Sequence, residues 1–444
     1  MTVSGNAPGL IIAAPASGSG KTVLTLSLLR HLSQSGLAVV SAKTGPDYID
    51  PAFHAAASGR SCINLDPWAM RGESLDRLIS HMGREAQLLV CEGVMGLFDG
   101  ASSGFGSSAD LAVYTGWPVV LLVDSRRQGA SAAAVVQGFA IHRSDVEVAG
   151  VVFNNVSGSR HAEILCEATA VALPDIEILG CVPHDPALAL PERYLGLVQA
   201  AEHSRLEAFL EIAAQSVAAH VNTDALVALA RPARIKEKTE AAALALIPPL
   251  GQRIAVAQDE AFAFSYAAVL EDWREAGAEF SLFSPLAGEG PDETADAVYL
   301  PGGYPELHAA KLAASTGFLG GLNSAAERDA VIFGECGGYM VLGETLVDGE
   351  NVCHAMAGLL PLATTFAKRS LHLGYREARL TAETVLGTKD ALFRGHEFHY
   401  ASIVEEGPGE ALFTCHDARG ESLGSAGLRA GTVMGSFIHL IDGG

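Results

Sequence analysis

Short apolar runs alternate with longer amphipathic stretches from the start of the chain to about residue 220. LIIAA (10–14), LAVV (37–40), QLLVC (87–91), PVVLLV (118–123), VAGVVF (148–153) and EILGCV (177–182) are continuous rather than alternating. A strand apolar at every position is buried on both faces, as in a parallel sheet covered by helices. Between the first two runs Leu24, Leu28 and Leu32 share one helical face, and Gly36 stands where a helix stop belongs. The pattern predicts a doubly wound α/β domain with a mainly parallel sheet. It changes over 221–250, where small residues, a charge cluster and a Pro-Pro pair predict a helix followed by a linker. A second α/β unit opens with RIAVAQ (253–258) and continues through AVYLPGG (297–303) and VIFGECGG (331–338). From about residue 370 the chain reads as strand-rich. The expected division is a first domain over 1–220, a linker over 221–250 and a second domain over 251–444.

Composition narrows the class. At roughly 100–200 residues per domain, a chain of this length holds two to four domains. Hydrophobic residues at 49 % and charged residues at 18 % mark a globular chain rather than a disordered one. A formal net charge of −22 argues against nucleic acid and anionic membranes as partners. An anionic small substrate would need local cations. Cysteines at 62, 91, 166, 181, 336, 353 and 415 form no CxxC pair and are odd in number. That usage predicts a reduced, cytoplasmic protein with neither a disulfide frame nor a zinc site. No stretch approaches the ~20 apolar residues that span a bilayer, and the N-terminus has no basic n-region.

Two stretches carry chemistry. LIIAAPASGSGKT (10–22) is a strand, a small-residue loop and a helix start, close to the pattern GxxxxGK[ST] but with Pro15 at its first glycine. Gly18, Ser19 and Gly20 permit close backbone approach to phosphates, Lys21 reaches the β- and γ-phosphates, and Thr22 suits Mg²⁺. The helix N-terminus adds its positive end. AKTGPDYIDP (42–51) follows the next strand with Lys43, Asp47 and Asp50, and CEGVMGLFDG (91–100) brings Glu92 and Asp99. Strand carboxyl ends face the crevice in such sheets, so these carboxylates and the loop should converge. For Asp50 a solvated acidic loop is an equal alternative. Asn154 and Asn155 suit reading of a nucleotide base, or simply a strand-end turn.

FGECGGYM resembles a nucleophile elbow with Cys336 as nucleophile, since Gly334 and Gly337 permit the sharp turn. A free thiol is only a few per cent ionised at neutral pH, with a pKa of ~8.5, so a base is expected. His439 in GSFIHL (435–440) is the candidate, and the amides of Gly302 and Gly303 in YLPGGYPEL (299–307) are candidate oxyanion donors. GHEFHY (395–400) lacks HExxH spacing; it predicts a strand with His396, Phe398 and Tyr400 on one face and Glu397 and His399 on the other.

In this order GKT, KTGPDYIDP, CEGVMGLFDG, PGGYPEL, GECGGYM, GHEFHY and GSFIHL resemble the cobyrinic acid and hydrogenobyrinic acid a,c-diamide synthases over nearly the whole chain. The resemblance implies a dethiobiotin-synthetase-like ATPase domain and a C-terminal class I (triad-class) glutamine amidotransferase domain. It implies that Cys336 attacks glutamine, that His439 shuttles the proton, and that ATP phosphorylates a corrinoid carboxylate which ammonia then amidates. ATP would be held by Gly18, Ser19, Gly20, Lys21, Thr22, Lys43 and Asn154. Mg²⁺ would lie near Thr22, Asp47 and Glu92, and the corrinoid near Asp47, Tyr48, Ile49 and Asp99. A homodimer is a further implication. Two departures stand out: Ile441 occupies the place of the usual triad Glu, leaving a Cys–His dyad, and Tyr194 in LPERYLGLV replaces a histidine. Cobyric acid synthase, nickel-sirohydrochlorin a,c-diamide synthase and a non-catalytic P-loop switch are the rival readings.

Overall fold

Leu10, Ile11 and Ile12 are fully buried because the strand Pro8–Ala13 has a parallel neighbour on each side and helices over both faces. In this computed structural model, which describes residues 7–193, 196–234 and 245–444, that strand sits inside the first sheet. Across the sheet run Cys62–Leu65, Val39–Thr44, Leu88–Glu92, Pro8–Ala13, Val119–Asp124, Val148–Val156 and Glu177–Pro183, all parallel. The chain first winds to one side of Pro8–Ala13 and later to the other. The loop after that strand therefore lies at the switch point, where open α/β sheets bind ligands.

The helix Lys21–Gln34 buries Leu24, Leu28 and Leu32 as the periodicity predicts. It also buries Leu26 and Leu29, and the helices Asp50–Ser58 and Leu206–His220 both pack against it. Each fully buried leucine contributes about 1.5–3 kcal/mol of transfer free energy. The stretch 221–234 is not free chain. Asn222 caps the helix Thr223–Leu229 through the amide of Ala225, and Arg231–Pro232 pairs antiparallel with Pro8 and Gly9. Tyr194 and residues 235–244 of the expected linker lie outside the described residues.

The chain divides into two compact units, and the second takes in Ala69–Arg71 together with Leu244–Gly444. Within it the Arg71 guanidinium donates to Asp442 Oδ1 at 2.6 Å, and the Arg71 amide donates to Oδ2 at 2.8 Å. Five parallel strands, Glu279–Phe283, Arg253–Ala257, Ala297–Leu300, Val331–Glu335 and Val433–Ser436, begin its main sheet. The antiparallel strands Ser422–Ala430, Glu410–Asp417, His372–Leu380, Leu392–His399 and Ile438–Gly443 complete it. Leu300, Phe318, Ile332, Tyr339 and Val341 form part of the core beneath the elbow. Alternation in the late strands is as expected: His396 packs edge-on to Tyr375, while His399 stacks on Phe437 and bonds Glu397.

Candidate active sites

Glycine at position 20 is required twice over. Its φ of 98° is left-handed, and a Cβ there would stand 2.5 Å from Asn154 Nδ2. Asn154 braces the loop by donating to the Ser19 carbonyl at 2.9 Å. Lys21 Nζ donates to the Met95 carbonyl at 2.5 Å and to the Ala16 carbonyl at 3.3 Å. Burial lowers its pKa from the ordinary lysine value. The loop opens on a cavity of about 630 Å³ whose lining includes Gly18, Lys21, Lys43, Asp50, Glu92 and His184.

Beside it lies a buried polar cluster. Thr22 Oγ1 donates to Glu92 Oε1 at 2.8 Å and to Asp50 Oδ2 at 3.3 Å. Lys43 Nζ, on a side chain 3 % exposed, donates to Glu92 Oε1 at 2.8 Å and to Asp50, with Asp47 Oδ2 at 3.8 Å. His54 Nε2 faces Glu92 Oε2 at 2.7 Å, and its Nδ1 faces Cys62 Sγ at 3.3 Å. Burial works against ionisation of Glu92, but Lys43 and His54 outweigh it and hold the carboxyl well below the usual range. Burial opposes protonation of His54 as well, yet Cys62 and Glu92 raise it to about 10. Asp50 goes the other way: burial and the neighbouring Asp47 push it up to about 7. Thr22, Asp47, Asp50 and Glu92 present only oxygen donors, a set that fits a hard divalent cation.

Tyr48, Ile49 and Asp99 lie outside the cavity lining, although Asp99 acts electrostatically on Lys21. Tyr48 and Ile49 are buried, and Asp99 Oδ2 accepts from the Gly96 amide at 2.9 Å, closing its own turn.

In the second unit Cys336 sits between the strand Val331–Glu335 and the helix Gly337–Leu342 with φ 48° and ψ −102°. A non-glycine residue held there is strained, and such strain concentrates at functional sites. A Cβ on Gly302 would stand 2.2 Å from His439 Cε1, 2.9 Å from His439 Nε2 and 3.3 Å from Cys336 Cβ. Gly302 thus leaves open the space shared by thiol and imidazole. The Gly303 amide nitrogen lies 3.0 Å from where a Cβ on Gly337 would stand, which keeps it at the elbow. Burial, with Glu306 next, pushes the Cys336 thiol above its usual range. Burial, with His396 and His399 next, lowers His439 to about 3. Both shifts favour the neutral forms of the two groups, thiol and imidazole.

Ile441 is buried and apolar, as its place in the sequence implies. The carboxylate near the imidazole comes instead from Glu335: its Oε2 lies 3.9 Å from His439 Nδ1. Ligand atoms of His372, Glu397 and His399 lie within 4.8 Å of one another. Glu397, however, is already engaged by Arg376 at 2.7 Å and His399 at 2.8 Å.

Residues 10–197 match the model of the CobQ/CobB/MinD/ParA nucleotide binding domain, and residues 253–443 match the CobB/CobQ-like glutamine amidotransferase domain. A hydrogenobyrinate a,c-diamide synthase from Brucella anthropi is 55 % identical over 440 residues, covering 98 % of both chains. Proteins of the same name from Rhizobium meliloti and Rhodobacter capsulatus are 52 % and 51 % identical, each covering 98 % of this chain and 99 % of the relative. The chain belongs to the a,c-diamide synthase family. For a member of this family, motif reading left Asp50 undecided and passed over His54 and Glu335. His54 is one helical turn after Asp50 in Asp50–Ser58, and that i, i+4 spacing was the available signal. Glu335 is visible in GECGG, but adjacent strand residues ordinarily face opposite ways, which hides its reach to His439.

Proposed function

We propose that the protein converts the a and c side-chain carboxylates of hydrogenobyrinic acid to amides, using ATP and glutamine. The observation that carries this reading is the presence on one chain of a P-loop beside a buried carboxylate–lysine cluster and of a strained cysteine beside a histidine. Full-length likeness to proteins named for that substrate supports the choice of macrocycle.

Cys336 Sγ attacks the side-chain amide carbon of glutamine while its proton passes to His439 Nε2. The Gly302 and Gly303 amides steady the oxyanion. The proton leaves with ammonia, and water then cleaves the glutamyl thioester to free glutamate and the thiol. In the first unit a substrate carboxylate oxygen takes the γ-phosphoryl group and ADP departs. Ammonia attacks the acyl carbon, phosphate leaves, and the nitrogen gives up its extra proton. Lys21 and Lys43 hold phosphate oxygens. Thr22, Asp47 and Glu92 would hold Mg²⁺, which offsets phosphate charge when bound. Because burial pushes the thiol up and the imidazole down, glutamine use without the other substrates should be slow.

Carboxylates carrying heavy oxygen test the phosphorylation step. One labelled oxygen should appear in released phosphate for every amide formed. Amide formation with unlabelled phosphate would remove the acyl phosphate from the scheme.

A further inference from the structure

The Cys–His pair lacks a third member at the position where sequence reasoning looks for one, and the structure fills that role from elsewhere. We infer that Glu335, the residue directly before the nucleophile, is the positioning residue that orients His439 and stabilises its imidazolium during attack. The inference rests on the reading that Cys336 uses glutamine.

Glu335 is 3 % exposed and ends the strand Val331–Glu335. Both of its oxygens are fixed. The Leu440 amide donates to Oε1 at 3.0 Å, and the Tyr299 hydroxyl donates to Oε2 at 2.7 Å. The oxygen held by Tyr299 is the one 3.9 Å from His439 Nδ1. Nε2, at the far side of the ring, borders the space over Gly302 that Cys336 also reaches. Thiol, imidazole and carboxylate thus follow the order that a nucleophile, its base and an orienting acid require. The separation is longer than a hydrogen bond, as catalytic contacts often are before substrate is in place.

The bond from Leu440 matters because Leu440 follows His439 on the strand Ile438–Gly443. One carboxylate therefore ties the nucleophile's strand to the base's backbone while facing the base's ring. Once the Cys336 proton moves to Nε2 the ring carries a positive charge in a buried setting. The nearby charges on it are His396, His399 and Glu397, all from the strand Leu392–His399, together with Glu335 from below the elbow. Around Glu335 the titratable neighbours are Tyr299, His439 and Cys336, and Glu306 also faces the thiol.

The test is Glu335→Gln in the full chain, with glutamine-supported and ammonia-supported amidation measured side by side. Glutamine-supported kcat should fall about a hundredfold with KM little changed. Ammonia-supported amidation, which by-passes Cys336, reports whether the chain is folded and the first unit competent. Burial raises the Glu335 carboxyl to about 7. Wild-type glutamine use should therefore decline as pH falls through that value and Glu335 becomes neutral, and the variant should lose this acid limb. Tyr299→Phe keeps the carboxylate and removes one donor to its charged form, so the limb should move to higher pH. That second variant decides the matter if Glu335→Gln does not fold. Unchanged glutamine-supported kcat in a folded Glu335→Gln, or an acid limb unmoved in both variants, would overturn the assignment. Loss of ammonia-supported amidation in the wild-type protein would instead count against the proposed function.

Discussion

Cys336→Ala should lower glutamine-supported amidation by at least about a thousandfold and leave ammonia-supported amidation at the wild-type level. In the proposed reaction the Cys336 thiol opens the glutamine amide, and the groups closest to it in role, His439 and Glu335, act there as base and orienting acid rather than as nucleophiles. Alanine removes only Sγ from a site whose backbone is set by the Val331–Glu335 strand and its bond from the Cys336 amide to the Ser436 carbonyl. The elbow should keep its shape. Product formation from glutamine and from ammonium salts, measured on the same preparation, checks this. Equal activity of the variant with glutamine would place the glutamine chemistry elsewhere.

Lys43→Met should abolish amidation with either nitrogen source, by about a hundredfold or more, and should also weaken the first unit. Lys43 is enclosed by Glu92, Asp50 and Asp47. Removing one partner of a buried ion pair costs about 3–5 kcal/mol, because the remaining charge is left uncompensated. Lys43→Met combined with Glu92→Gln should recover much of that stability without recovering activity. Thermal unfolding and product formation on the single and double variants separate the two effects. If activity returns along with stability, the lysine has only a structural role.

Much of this was legible in the chain because the relevant physics is local. Continuous apolar runs predicted six of the parallel strands, and the glycine-rich loops at 15–22 and 334–338 announced a phosphate cradle and a sharp turn. The edge strand Cys62–Leu65 escaped, since four residues beside polar loop sequence carry no period. What joins residues distant in sequence escaped too. Glu335 reaches Leu440 and His439 only because the strand Ile438–Gly443 returns past the elbow, and no spacing within GECGG or GSFIHL contains that return. His54, on the helix Asp50–Ser58, and Glu92, at the end of the strand Leu88–Glu92, are likewise brought together only by the fold. Asp99 Oδ2 accepts from the Gly96 amide, a hydrogen bond within its own turn that a motif does not display.

The decisive measurement is mass spectrometry of the macrocycle after incubation of the purified protein with Mg-ATP, glutamine and hydrogenobyrinic acid, with cobyrinic acid in a parallel reaction. Two carboxyl-to-amide conversions on hydrogenobyrinic acid, matched by ADP and glutamate, are the expected result. ATP hydrolysis with neither macrocycle amidated would contradict the proposed function and return the P-loop to the reading of a switch.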